Sequence, residues 1–186
     1  AEAVLPVGLS FYTFLVVGYL IEVYLHNDAV ERNAARFAAF LCFFPHMLAG
    51  PIERSRRLLP QLSQIGVFDY ARVVAGLRAI LIGLFMKIVI ADTLGRYVNR
   101  VYADPHAYQS TDLALATFYF SFQVYADFAG YSLIAIGSAR LLGVELMTNF
   151  RQPYLSPNLA EFWRTWHISL SSWFRDYVFT PLHFEL

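Results

Sequence analysis

A lone histidine stands among tryptophans, serines and arginines in the stretch 149–182, NFRQPYLSPNLAEFWRTWHISLSSWFRDYVFTPL, and it is the side chain there best suited to chemistry. With an unperturbed pKa near ~6.5, the imidazole of His167 can take a proton from a hydroxyl near neutral pH or hold a carbonyl by hydrogen bonding. General-base catalysis of that kind is worth about 10²–10⁴-fold. His167 lies close to Trp163 and Trp166, so the alternative is a histidine that bonds a backbone carbonyl or anchors a helix at a membrane interface. Spacing leaves both readings open.

Asp127 lies inside the apolar run SFQVYADFAGY, with Gln123 one turn before it and Tyr131 one turn after. A carboxylate at membrane depth is costly unless paired or facing a polar cavity, so Asp127 reads as shaping a site through a tyrosine or Arg140 rather than reacting. His46, in FFPHMLAGPI, stands where the chain breaks; it lines the same cavity or caps a half-helix. Lys87 and Asp92 read as membrane-boundary charges. Arg54, Arg56 and Arg57 read as topology-setting charge that also suits anionic headgroups or an acidic partner. Ser169, Ser171 and Ser172 lie near His167, but no serine stands in an elbow motif such as G-x-S-x-G. The lone Cys42, between Leu41 and Phe43, has no activating base in its surroundings and cannot form a metal cluster alone. No metal ligand set and no bound cofactor are expected.

The elements that must carry these groups are those of a membrane chain. Hydrophobic residues make up 58% of the 186 and charged ones only 15%, against about 25% charged in soluble domains. The 14 basic and 14 acidic residues balance, which excludes the basic footprint of a nucleic-acid binder. A membrane-spanning helix needs about 20 apolar residues, and residues 6–25 supply them. Residues 34–50 are apolar but shorter and end in the Ala49-Gly50-Pro51 breaker, as a broken or re-entrant helix would. The basic connection 52–72 is expected on the cytoplasmic side. Residues 73–91 read as the next span, 92–112 as an exposed loop, and 113–144 as two helical pieces meeting near Gly130.

Near the C-terminal end, Ser156 before Pro157, or Asn158 with Glu161, can start a helix. From there Leu159, Trp163, Trp166, Leu170, Trp173 and Tyr177 recur at steps of four and three, an apolar stripe. Arg164, His167, Ser171 and Arg175 fall on a neighbouring arc. The spacing therefore predicts one continuous amphipathic helix with the histidine on its polar side, and Asn149 joins the site-lining candidates just before it. The fold class expected is all-α: a polytopic integral-membrane helical bundle with re-entrant or broken helices and an amphipathic helix near the C-terminal end, all in one domain over residues 1–186.

The segments LPVGLSFYTF, FFPHMLAGPI, GLFMKIVIAD, FQVYADFAGYSLIAIGSARLLG and NFRQPYLSPNLAEFWRTWHISLSSWFRDYVFTPL, in this order, resemble the membrane-bound O-acyltransferases. The nearest branch is the bacterial one that acetylates alginate or D-alanylates teichoic acid. The resemblance covers nearly the whole chain and implies many helices around a funnel, in which an acyl group delivered from the cytoplasmic side meets a hydroxyl on the other. It implies that His167 matches the first of two active-site histidines, supporting or positioning the acceptor, while the main one lies in a Trp-His pair downstream of Leu186. After Thr180-Pro181-Leu182 the family continues with two glycines, whereas His183-Phe184 follows here; His183 is given no catalytic role. The chain then reads as a partial domain, inactive alone.

The function expected is an O-acyltransferase of the bacterial inner membrane, multi-pass, that moves an acetyl group from an acetyl-type thioester or carrier to hydroxyls of an exported polysaccharide such as alginate. Its partners are the polysaccharide, the acyl donor, the lipid bilayer and other polysaccharide-acetylation proteins. Two alternatives stand beside it: a transporter or channel component, since broken helices and an intramembrane Asp127 also occur in ion pathways, and a scaffold subunit of a polysaccharide-modification complex.

Overall fold

The computed structural model describes residues 8–26, 30–47, 50–64 and 68–184. Pro6 at the start of the first expected span, Ala49 in the breaker and the last two residues of the chain lie outside the described residues. Helix α1 (Leu9–His26) follows Gly8 and is apolar nearly throughout. Helix α2 (Ala34–Leu41) starts where the Asn33 side chain accepts from the Arg36 N–H, and it stops at Cys42, before a 3₁₀ turn over Phe44–His46. The expected break in this segment is therefore present. Helix α3 (Ser55–Leu62) completes the basic connection.

The structure corrects two expectations in the middle of the chain. Residues 92–103 are helix, not loop: α4 (Tyr70–Leu84), capped by Asp69, runs through a π-helical stretch over Phe85–Ala91 into α5 (Asp92–Ala103). The resulting helix, Tyr70–Ala103, is 34 residues long and apolar enough to cross a membrane; Leu9–Tyr24 is apolar but shorter. At 1.5 Å per residue the longer one measures about 50 Å, well beyond the roughly 30 Å of a bilayer core. The excess is α5, whose Gly95, Val98 and Val101 are buried while its other positions are mainly exposed.

The second correction concerns residues 113–144, which form one helix, α6 (Ser110–Leu141), and not two pieces. Gly130 and Gly137 mark contact rather than a bend. A Cβ on Gly83 would stand 2.6 Å from the Gly130 carbonyl oxygen, and one on Gly137 would stand 2.5 Å from that of Gly76. Two glycine pairs, each seven residues apart on its helix, thus let α4 and α6 touch backbone to backbone, as small residues do in membrane helix pairs. The helix ends at a Schellman motif, in which Gly143 (φ +84°) donates to Arg140 O at 3.0 Å and Val144 to Ala139 O at 2.9 Å.

The expected amphipathic helix is also not continuous. Asn158 caps α7 (Leu159–Thr165), accepting from the Glu161 N–H. The chain breaks at Trp166 and His167, and α8 (Ile168–Phe174) begins anew before a π stretch over Arg175–Phe179 and α9 (Thr180–Phe184). The apolar stripe divides with it: Leu159 and Trp163 are exposed, whereas Trp173 and Tyr177 are buried against α1.

Candidate functional site

His167 adopts a left-handed backbone (φ 42°, ψ 54°), a region that non-glycine residues occupy at a cost. The surrounding hydrogen bonds hold it there. Its carbonyl accepts from the Leu170 and Ser171 N–H groups at 3.0 Å, Ile168 N–H donates to Asn149 O at 2.9 Å, and Arg151 N–H donates to Thr165 O at 3.0 Å. The strand-like stretch after Leu146 is thereby laced to both sides of the break. Side chains extend the lacing: Ser169 Oγ donates to Asn149 Oδ1 at 2.6 Å. The imidazole meets the Phe128 ring edge to face at 4.6 Å, and Phe128 in turn packs on Phe150 at 5.1 Å.

Burial pushes the His167 imidazole down to about 4, so it is neutral at physiological pH. Its Nε2 has no hydrogen-bond partner among the described residues, nor does Asn149 Nδ2. The imidazole Nε2 and the Asn149 amide are thus two buried polar groups left unpartnered among the described residues.

The other residues expected near His167 on its polar arc are not gathered there, because the break turns the helix. Arg164 pairs with Glu161 at 3.4 Å and Arg175 with Asp176 at 3.1 Å, both largely exposed, while Ser171 Oγ donates to Trp166 O at 3.2 Å. His46 is fully buried beside Phe43, and neither ring nitrogen is hydrogen-bonded among the described residues. Among the described residues its side chain therefore caps no half-helix.

Asp127, Gln123 and Tyr131 do come together, with a partner the sequence did not suggest. Lys87 Nζ lies 2.8 Å from Asp127 and 2.7 Å from Asp92, and 5.6 Å above the Tyr131 ring. Arg140 instead pairs with Glu145 at 3.1 Å. The π stretch accounts for this geometry: Asp92 N–H donates to Lys87 O, so residues five apart sit one above the other. Lys87, Asp92, Asn99, Gln123 and Asp127 line a cavity of about 280 Å³.

A third polar cluster was not anticipated. Glu22, 3% exposed within apolar α1, accepts from Tyr177 OH and Ser55 Oγ. Arg54 lies over the Tyr177 ring at 4.8 Å and reaches Asp176 at 3.2 Å and Ser172 at 3.3 Å. Trp173 Nε1 donates to Phe14 O at 3.1 Å. The signal for this cluster was Glu22 itself, an acid in a span, which by the same physics as Asp127 demands a partner. Nearby, the buried Glu53 accepts from Met147 N–H and faces Arg57 at 3.8 Å. Burial nevertheless raises its carboxyl above the ordinary range, against the pull of that N–H and the two arginines.

The chain combines one long apolar helix, a glycine-mediated helix contact and a partly buried histidine at the α7–α8 break. The sequence profile of the MBOAT, membrane-bound O-acyltransferase family matches residues 11–186, and the chain belongs to that family. It is 40% identical over 180 residues to the "Probable alginate O-acetylase AlgI" of Azotobacter vinelandii, covering 96% of this chain and 35% of that protein. It is 31% identical over 205 residues to the peptidoglycan O-acetyltransferase of Helicobacter pylori (96% and 39%), and 33% identical over 178 residues to the teichoic acid D-alanyltransferase of Bacillus subtilis (92% and 44%). The chain thus spans well under half the length of these relatives.

Proposed function

We propose that the protein of which this chain is a part is a multi-pass enzyme of the bacterial inner membrane that transfers an acetyl group to hydroxyls of an exported polysaccharide, alginate first among the candidates. The observation that carries this reading is His167, held in a left-handed turn by the Asn149 segment with Nε2 free. Relatives named for acetylating alginate and peptidoglycan and for D-alanylating teichoic acid share one reaction: a small acyl group moves to a cell-envelope polymer.

The acceptor oxygen bonds the acyl carbon, the bond from that carbon to the donor's leaving atom breaks, and the hydroxyl proton passes to the leaving group through an imidazole. General bases work best with a pKa near the operating pH. His167, pushed to about 4, is better suited to accept a hydrogen bond from the acceptor hydroxyl and aim it than to keep its proton. In the full-length protein, His167→Ala is expected to lower ester content on the polysaccharide by at least ~10²-fold, measured by alkaline release of acetate. Unchanged acetylation would remove the role given to this residue.

A further inference from the structure

Between α6, the π stretch of the long helix and the Asn149 segment lies a cavity of about 90 Å³, bounded by Met86, Ala129, Ser132, Leu133, Asn149 and Phe150 among others. Its walls are apolar apart from Tyr125, Thr148 and two residues that are almost wholly buried, Asn149 at 1% exposed and Ser132 at 2%. Both are unfinished. Asn149 Oδ1 accepts from Ser169 Oγ, which fixes the amide and leaves Nδ2 with no partner; Ser132 Oγ likewise has none among the described residues. Buried donors are almost always paired with protein, water or ligand. Here both unmet groups line one small, mostly apolar space.

We infer that this cavity receives the acyl group in transit, with Asn149 Nδ2 donating to its carbonyl oxygen and Met86 and Leu133 enclosing its methyl end. The inference rests on the acyl-transfer reading above. The space is small, of the size class of an acyl group with a short chain such as acetyl. As the acceptor oxygen bonds the carbonyl carbon and the bond to the leaving atom breaks, charge gathers on the carbonyl oxygen, and a preset N–H there is worth the most. The proton follows the route given above. Asn149 is in backbone contact with the His167 turn through Ile168, and Phe150 reaches the same histidine through Phe128. Asn149 and Phe150 therefore link the cavity wall to the histidine turn.

Cells producing the full-length protein and fed equal ¹³C-labelled acetate, propionate and butyrate would reveal the pocket through the esters on their exported polysaccharide, counted by mass spectrometry. Wild type is expected to place acetyl almost alone, while Leu133→Ala and Met86→Ala raise the propionyl-to-acetyl ratio by about tenfold or more. A ratio does not depend on how much protein folds, and Leu133→Val provides a one-carbon step should the alanine variants fail to accumulate. Asn149→Ala strands the Ser169 hydroxyl and is expected to lower the melting temperature, while ester formation per folded molecule falls by ~10²–10³-fold, well beyond the loss of folded protein. Unaltered ratios in all the wall variants, as a water-filled or structural void would give, overturn the pocket and leave acetyl transfer standing. A polysaccharide without acyl esters in wild type overturns the underlying reading instead.

Discussion

The α4–α6 pair and the segment 149–184 solve opposite problems with the same backbone. In the pair, glycines at seven-residue intervals leave no side chain of their own at the crossing points, so two long helices meet at carbonyl distance. In the later segment the chain is interrupted by a left-handed Gln152, a left-handed His167 and a π stretch over Arg175–Phe179. Regular helices satisfy their own hydrogen bonds and need only surface fit. The interrupted segment borrows partners from elsewhere: Asn149 for Ile168 and Ser169, Phe14 for Trp173, Glu22 for Tyr177. Backbone strain gathers where surrounding contacts over-determine a conformation, and that is characteristic of working sites.

The sharpest way to separate scaffold from site is His167→Gly. Glycine accepts the left-handed backbone freely, so stability is expected to hold or rise by about 1 kcal/mol in thermal melts, while polysaccharide esterification falls by ~10²–10⁴-fold. A parallel loss of both would make His167 a structural residue. On the scaffold side, Gly83→Leu drives a side chain into the Gly130 carbonyl, which would stand 2.6 Å from its Cβ. Overpacking of this kind costs about 1–3 kcal/mol or more, and the expected result is a lower melting temperature and aggregation on size exclusion. Gly95→Ala, which meets only the end of the Gln123 side chain, should be much milder.

Glu22→Ala tests whether the interrupted segment depends on its distant anchors. It strands the Tyr177 and Ser55 hydroxyls in a buried setting, at a cost of about 1–3 kcal/mol. Faster proteolysis between α8 and α9 than within α4 or α6 is the expected readout; uniform protection would mean the anchor is dispensable. The smallest effect is expected for Lys87→Met. The Lys87 and Asp127 side chains are 27% and 44% exposed, and ion pairs open to solvent contribute roughly 0–1 kcal/mol. A change in melting temperature larger than that of Glu22→Ala would reverse the ranking of the two polar clusters.

What the residues disclosed in advance follows the same division. The apolar runs, a broken helix within 34–50 and the Asn158 cap were readable because each is a local signal. Periodicity misled where long-range contact overrides it. The stripe from Leu159 to Tyr177 has ideal helical spacing, yet hydrogen bonds to the Asn149 segment stop the helix at Trp166. Gly130 looked like a hinge because a partner glycine at position 83 cannot be seen from one helix. Asp92 looked like the start of a loop because a charge after an apolar run usually ends a span, whereas here it is drawn back by Lys87. Glu22 read only as an acid near the end of the first span because its partners lie 33 and 155 residues away.

That last separation has a consequence for biosynthesis. Ribosomes add roughly 5–20 residues per second, so α1 waits on the order of 8–30 seconds before Tyr177 is even made. Throughout that interval Glu22 is an acid in an apolar helix with Ser55 as its sole early partner of the two. The helix that opens this chain is thus a late finisher, a candidate for escort by the insertion machinery until the site-bearing segment arrives to claim it.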